Sequence, residues 1–165
     1  MTTENTTLRT AGVQPGSKLA EIVATRSDIM ALTQAANEAI LNPRVAGGIT
    51  YAERAALACR MARLSGEQIL AEHYAKRLAQ VSEDATVGRI TDPSFSGSGD
   101  RRLAALIRHA DLITQSPKSA VRDDIAALRD AGVAEADIVR LAEIIAFVNY
   151  QIRVVAGLRL LGEIV

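Results

Sequence analysis

The sequence has few of the residues that would allow disulfide, metal or redox chemistry. Its 165 residues include a single cysteine, Cys59. One thiol cannot form a disulfide within the chain, and it cannot build a cysteine-based zinc site. Residues 1–5 also lack the basic and apolar regions of a signal peptide. We therefore expect a reducing, cytoplasmic environment, with no metal and no cofactor.

Aromatic residues are also scarce, at 3% of the chain, and tryptophan is absent. Strands favour aromatic and β-branched residues, whereas alanine and leucine, which are abundant here, are the best helix formers. The composition therefore predicts an all-α protein. A chain of this length fits one domain with a core of its own.

Net charge is absent too, because 19 basic residues balance 19 acidic ones. Nucleic-acid binding relies on clustered positive charge, so the balance argues against a nucleic-acid partner. It favours self-association, because repulsion between copies is weak. The most apolar segment, 144–161, contains Asn149, Gln151, Arg153 and Arg159, which are costly in lipid. We expect a buried core helix there and no membrane span.

Capping and breaking signals divide the chain into helices. We predict a flexible N-terminal arm over 1–16, a single helical domain over 17–165, and a covering loop or lid over 82–100. Residues 27–41 carry an apolar stripe at helical spacing, formed by Ile29, Leu32, Ala36, Ala39 and Ile40. The predicted cap and stop residues are Ser27, Asn42 before Pro43, Thr50 with Glu53, Ser65 with Gln68, Asp100, Ser116 before Pro117, and Gly132.

The last helix is predicted to begin near Glu135 and to run to Leu161 or beyond. Its apolar face is uninterrupted for about seven turns, and Ile144, Phe147, Val154 and Leu160 make other faces apolar as well. A helix of this kind belongs at the centre of a domain or in a subunit interface. We therefore expect a homo-oligomer.

Two blocks of sequence resemble a known superfamily. Residues 50–74 read TYAERAALACRMARLSGEQILAEHY, and the second block reads LRDAGVAEADIV over 128–139 and IAFVNYQIRVVAGLR over 145–159. They are similar to the central helix pair and the C-terminal region of the alkylhydroperoxidase D / carboxymuconolactone decarboxylase superfamily. The resemblance implies a helical bundle of about six or seven helices and assembly as trimers or hexamers.

The peroxidases of that superfamily use a Glu, a Cys-x-x-Cys pair and a His four residues after the second cysteine. His73 matches the motif His, but the cysteine positions fall on Gly66 and Ile69. The dithiol cycle needs one thiol to attack the peroxide and a second to resolve the sulfenic acid. The chain is therefore expected to be a divergent peroxidase-related member, linked to oxidative or small-molecule metabolism, without dithiol peroxidase activity.

The candidate catalytic residues are His73, Glu53 and Cys59, and each has a structural alternative. His73 borders an apolar stripe and would then be a packed side chain. Glu53 is one residue out of register with the motif Glu and has a structural role in a capping box. Cys59 lies in an alanine-rich helix, where a buried cysteine acts as a small apolar residue. The alternative that the chain is a one-cysteine peroxidase stays open. Arg153 is expected either to hold a ligand carboxylate or to pair with an acidic residue of its own or a neighbouring subunit. His109 is expected in solvent.

Two other functions stay open as well. The lactone decarboxylase branch works without the cysteine pair, and His73 with Glu72 or Glu53 and an arginine would supply acid–base chemistry on a small-molecule substrate. The other is a non-catalytic oligomeric partner of another enzyme.

Overall fold

The computed structural model describes residues 5–97 and 99–165. In these ranges every regular element is a helix, and turns and loops connect the helices. The nine α-helices of the described residues are α1 Thr6–Thr10, α2 Lys18–Ala24, α3 Ser27–Leu41, α4 Tyr51–Leu64, α5 Gln68–Val81, α6 Ala85–Arg89, α7 Arg101–Gln115, α8 Arg122–Asp130 and α9 Glu135–Ile164. The all-α class is confirmed. The predicted count of six or seven is too low, because α1 and α6 have five residues each and are too short to show a helical period.

Several predicted helix ends are confirmed. Thr50 and Glu53 form a reciprocal capping box at the start of α4, with hydrogen bonds of 3.1 Å and 2.7 Å. The Asp100 carboxylate accepts from the Leu103 amide at the start of α7. α3 ends at Leu41, directly before Asn42 and Pro43.

Other helix starts were predicted wrongly. α3 begins at Ser27 itself, after an Arg26 that makes no side-chain cap bond. No side chain caps α5 either, and its N-cap residue Glu67 binds Arg159 instead. The single helix predicted over 116–131 is divided into a 3-10 turn, Pro117–Ser119, and α8.

The core is organised around α4 and α5, which form a tight antiparallel hairpin. Gly66 occupies the left-handed region at φ +76° in the turn that joins them, where a residue with a Cβ is strained. The small side chains of α4 are completely or almost completely buried, which lets neighbouring helices approach closely; they include Ala55, Ala56, Ala58 and Ala62. Side chains from α3 to α9 join one continuous core cluster.

α9 crosses the whole domain and packs against α1, α2, α3, α4, α7 and α8. Its predicted position at the centre of the fold is therefore confirmed. By length and hydropathy, α9 would be able to cross a membrane, a test that the core helices of soluble proteins also pass.

The apolar stripe of α3 lies only partly against the core, where Ala36 and Ile40 are half-buried. Its buried residues include the polar Thr33, Gln34 and Asn37, whereas Leu32 is 66% exposed. Ordinarily the apolar stripe of a helix faces the core. Here the polar face enters the domain, because polar partners on α1, α5 and α9 meet it there.

The predicted flexible arm is docked over residues 5–16; residues 1–4 lie outside the described residues. The Asn5 amide donates to the Met30 carbonyl at 2.6 Å, and the Thr6 amide donates to Gln34 Oε1 at 2.8 Å. The Thr10 carbonyl accepts from Arg159 at 3.0 Å. α1 is therefore held to α3 and α9 mainly by polar contacts.

The segment expected to form a lid is anchored by Arg60 of α4, which is 2% exposed. Its guanidinium binds the Asp111 carboxylate through two hydrogen bonds of 2.6 and 2.7 Å. The remaining donors bind backbone carbonyls, those of Ile90, Asp92, Pro93 and Phe95, at 2.6 to 3.1 Å. These bonds tie the segment to α4 and α7, which argues against a mobile lid.

Arg54, one and a half turns earlier on α4, holds the α3–α4 connection in the same way. Its three nitrogens donate to the carbonyls of Ile49, Ile40 and Ala46 at 3.1, 2.7 and 2.8 Å. Burial, followed by repulsion from Arg140, lowers the pKa of this guanidinium. The carbonyl dipoles are what make a buried charge tolerable at this position.

Replacing Arg60 is expected to be far more damaging than replacing its neighbour Arg63. Arg60→Met leaves the Asp111 carboxylate and four carbonyls without their donor, and loss of one member of a buried pair typically costs about 3–5 kcal/mol. Arg63 is exposed and binds Thr91 alone among the described residues. We therefore expect Arg63→Met to cost less than about 1 kcal/mol. Urea unfolding followed by circular dichroism measures both, and equal losses would contradict the anchoring role of Arg60.

Candidate functional site

Glu53 is held by structural partners on both carboxylate oxygens. Oε2 accepts from the Thr50 amide, and Oε1 accepts from Arg102 at 2.6 Å. The side chain is therefore used for the cap of α4 and an ion pair with α7. Its partners are not those of His73, so the structure does not join the two candidate residues in one hydrogen-bonded group.

Cys59 is fully buried in the middle of α4. Its Sγ donates to the Ala71 carbonyl of α5 at 3.3 Å. Burial raises the pKa of the thiol, with Arg63 acting weakly in the opposite direction. Because the thiolate is the reactive form, Cys59 fits the role of a small packed side chain and lacks the properties of a peroxidatic nucleophile.

His73 lies on α5 beneath α1 and is held by Arg9, whose Nη2 lies 2.8 Å from His73 Nδ1. A guanidinium can only donate, so Nδ1 is the acceptor and the neutral ring carries its proton on Nε2. Nε2 is buried and has no hydrogen-bond partner among the described residues. Burial, with help from Arg9, Arg77 and Lys76, lowers the pKa of His73 to about 4. The imidazole is neutral at pH 7, where it is a hydrogen-bond donor and a weak base.

A buried polar cluster lies next to His73, where α1, α3, α5 and α9 meet. The Tyr74 hydroxyl donates to Gln151 Oε1, and Gln151 Nε2 donates to Thr7 Oγ1 at 3.0 Å. Asn37 Nδ2 lies 3.5 Å from the Tyr74 oxygen, while Asn37 Oδ1 has no described partner. Burial strongly raises the pKa of Tyr74. The cluster is neutral, and it joins the N-terminal residues to the core.

An open cavity of about 620 Å³ lies on the other side of α1, between α1, α2 and α3. Gln34 links the two regions, since it accepts from the Thr6 amide and also lines the cavity. Most of the wall is apolar, from residues such as Leu8, Val23 and Met30. Ligand cavities typically have volumes of about 300–1,000 Å³ and mainly apolar walls with a few polar groups.

The structure corrects one further expectation, shows a local contact of Arg153, and distinguishes the two tyrosines. His109 is buried and not in solvent, because it borders the core-facing side of α7. Arg153 donates to the Asn149 carbonyl one turn earlier. Its pairing with the carboxylate of a ligand or of a neighbouring subunit stays a prediction. Tyr74 is core, while Tyr150 is exposed and lines the groove between α3 and α9.

The polar cluster and the cavity are the features that sequence reasoning missed. The one available signal was Gln151, a polar residue within an apolar helix. Thr7 and Asn37 gave no such signal, because their spacing is that of surface residues. No group of three or more His, Cys, Asp and Glu side chains converges in the described part of the chain in a way that would hold a metal ion.

Comparison with known proteins adds no family assignment. No protein-family model matches the chain. A search of curated proteins finds no match either.

The low pKa of His73 predicts a pH-dependent stability. Between about pH 4 and pH 6.5 the unfolded side chain binds a proton that the folded one does not. The free energy of unfolding should therefore rise with pH through this window and fall on acidification. His73→Gln should reduce this dependence of the unfolding free energy on pH. His109→Gln should leave the part that His73 contributes unchanged. An NMR titration of the folded chain with a His73 midpoint near 6.5 would contradict the assignment.

The buried thiol predicts an unreactive native cysteine. Cys59 should react with an aromatic disulfide reagent only as fast as the domain unfolds, and at full speed in urea. Hydroperoxide consumption with a dithiol reductant should be absent in the wild type and unchanged in Cys59→Ala. Rapid labelling of the folded protein would contradict this prediction and support a one-cysteine peroxidase. So would hydroperoxide turnover that is lost in Cys59→Ala.

Proposed function

We propose that this chain is a divergent alkylhydroperoxidase D-like protein that binds an apolar small molecule between α1, α2 and α3 and has no dithiol peroxidase activity. The observation that carries the proposal is the cavity of about 620 Å³. Its size and its apolar wall suit a small ligand. Its position next to the docked N-terminal helix lets ligand binding and the order of α1 influence each other.

The polar groups of the cavity indicate what kind of ligand it would hold. Glu38 is the one ionisable side chain among the described residues that line it. Gln34 donates to Glu38 at 3.2 Å, and Arg77 lies 3.8 Å from the other oxygen, outside hydrogen-bond distance. A cationic or hydrogen-bond-donating head group would pair with this carboxylate, whereas an anionic one would be repelled. The preferred ligand is therefore an apolar body with an amine or hydroxyl head.

The state of Cys59 supports the absence of peroxidase chemistry. A peroxidase of this superfamily needs an accessible, low-pKa thiolate and a second thiol. This chain has one thiol, which is buried and has a raised pKa.

A second candidate function is acid–base catalysis at His73, favoured by its unpartnered Nε2. A buried N–H without an acceptor is costly, and a substrate oxygen would supply the acceptor. A neutral imidazole can stabilise developing negative charge on a carbonyl oxygen by donating a hydrogen bond. In this function His73 acts as a donor, and Glu53 takes no part because its carboxylate is held by Thr50 and Arg102.

Two alanines of α3 provide a matched test of the cavity. Ala35 lines the cavity. Ala39, one turn later on α3, is also exposed but does not line this cavity. A neutral fluorescent probe such as N-phenyl-1-naphthylamine should bind the wild type and Ala39→Phe with the same affinity. Ala35→Phe fills the cavity and should weaken binding at least tenfold, about 1.4 kcal/mol. Equal affinity in all three proteins would place the probe elsewhere and contradict the proposal.

A further inference from the structure

The exposed side of α9 carries a continuous stripe with the spacing of a coiled-coil seam. Its positions follow one another at alternating intervals of four and three residues, and all are exposed: Val139, Glu143, Ala146, Tyr150, Arg153, Gly157, Leu160 and Ile164. Four of them are large apolar residues with exposures of 40–74%. A 3.5-residue apolar repeat on a long helix is the pattern of helices that pair along their length.

The composition of this seam differs from that of an ordinary solvated helix face. Between 144 and 158 the whole helix has one charged residue, Arg153. Ala142, Ala146, Ala156 and Gly157 give the face small side chains, which let a second helix approach closely. A groove of about 470 Å³ between α3 and α9, bordered by Leu32, Ala146 and Tyr150, lies directly beside the seam.

The two charges within the seam identify the partner. In a parallel pair of two copies, Glu143 would face Glu143 and Arg153 would face Arg153, which is repulsive. In an antiparallel pair centred on residue 148, Glu143 of each copy faces Arg153 of the other. The same register places Ala146 opposite Tyr150 and Val139 opposite Gly157, a large residue against a small one. Shifting the register by one heptad in either direction removes the charge pairing.

We infer that α9 is the interface at which two copies of this chain pair antiparallel about a two-fold axis near residue 148. The contact runs from about residue 136 to 160, roughly 36 Å of helix. It covers the stripe from Val139 to Leu160 and extends over the α3–α9 groove, where Leu32 is 66% exposed. The zero net charge of the chain adds no repulsion between the copies. A two-fold pair is the unit of a dimer or of a hexamer, whereas a lone trimer has no such axis.

Charge reversal in the full-length protein tests the register directly. Sedimentation velocity over a range of concentrations should show the wild type associating. Glu143→Arg and Arg153→Glu each turn two attractive contacts of the pair into repulsive ones, and each should weaken association about tenfold or more. The double variant Glu143→Arg/Arg153→Glu restores both pairs, and its dissociation constant should lie within about threefold of the wild-type value.

Matched controls separate the seam from general charge effects. Glu83→Arg makes the same change at an exposed site between α5 and α6 and should leave association unchanged. Circular dichroism of each variant identifies any loss of folding, and the restored double variant shows that the single variants failed through repulsion. A wild type that stays monomeric, single reversals without effect, or a double variant that stays dissociated would each overturn the inference. So would a monomer that floats with phosphatidylcholine vesicles, because α9 would then face lipid.

Discussion

The architecture depends on two buried guanidinium groups that use backbone carbonyls as their partners. Arg54 and Arg60 point from α4 into the connections on either side of the central hairpin, and each is 2% exposed. A buried charge without such partners would cost several kcal/mol. The connections are therefore folded around the two charges. The two charges hold the α3–α4 connection and residues 90–95 against α4, the central helix of the domain.

A second constraint is the polar interior beneath α1. Thr7, Asn37, Tyr74 and Gln151 come from four helices and contact one another where an apolar core would be expected. Because α3 turns a polar face toward this cluster, Leu32 and Ala39 of its apolar stripe are exposed, while Ala36 and Ile40 still pack against the core. The groove beside α9 borders this stripe through Ile29, Leu32, Ala36 and Ile40. The apolar surface that α3 offers to a second copy is thus a consequence of polar groups inside the domain.

The proposed ligand cavity and the proposed pairing surface lie on different sides of α3. The cavity is lined from α1 and α2, and the groove is lined from α9. Binding at one and pairing at the other can therefore be measured separately. Neither uses Cys59, whose buried thiol and raised pKa suit packing.

Local signals in the sequence were sufficient for the all-α class and for the long helix beginning at Glu135. They were also sufficient for the capping box at Thr50, the N-cap at Asp100 and the end of α3 before Asn42. Each of these depends on residues within one or two turns, which is the range over which propensity and capping act. Tertiary structure alone decided that Arg60 would gather the 90–95 carbonyls, that the N-terminal residues would dock, and which face of α3 would enter the core. These outcomes join residues 25 to 149 positions apart, as Asn5 joins Met30 and Arg159 joins Thr10. A hydrogen bond between distant polar side chains leaves no periodic pattern in the sequence, and so only the folded chain reveals it.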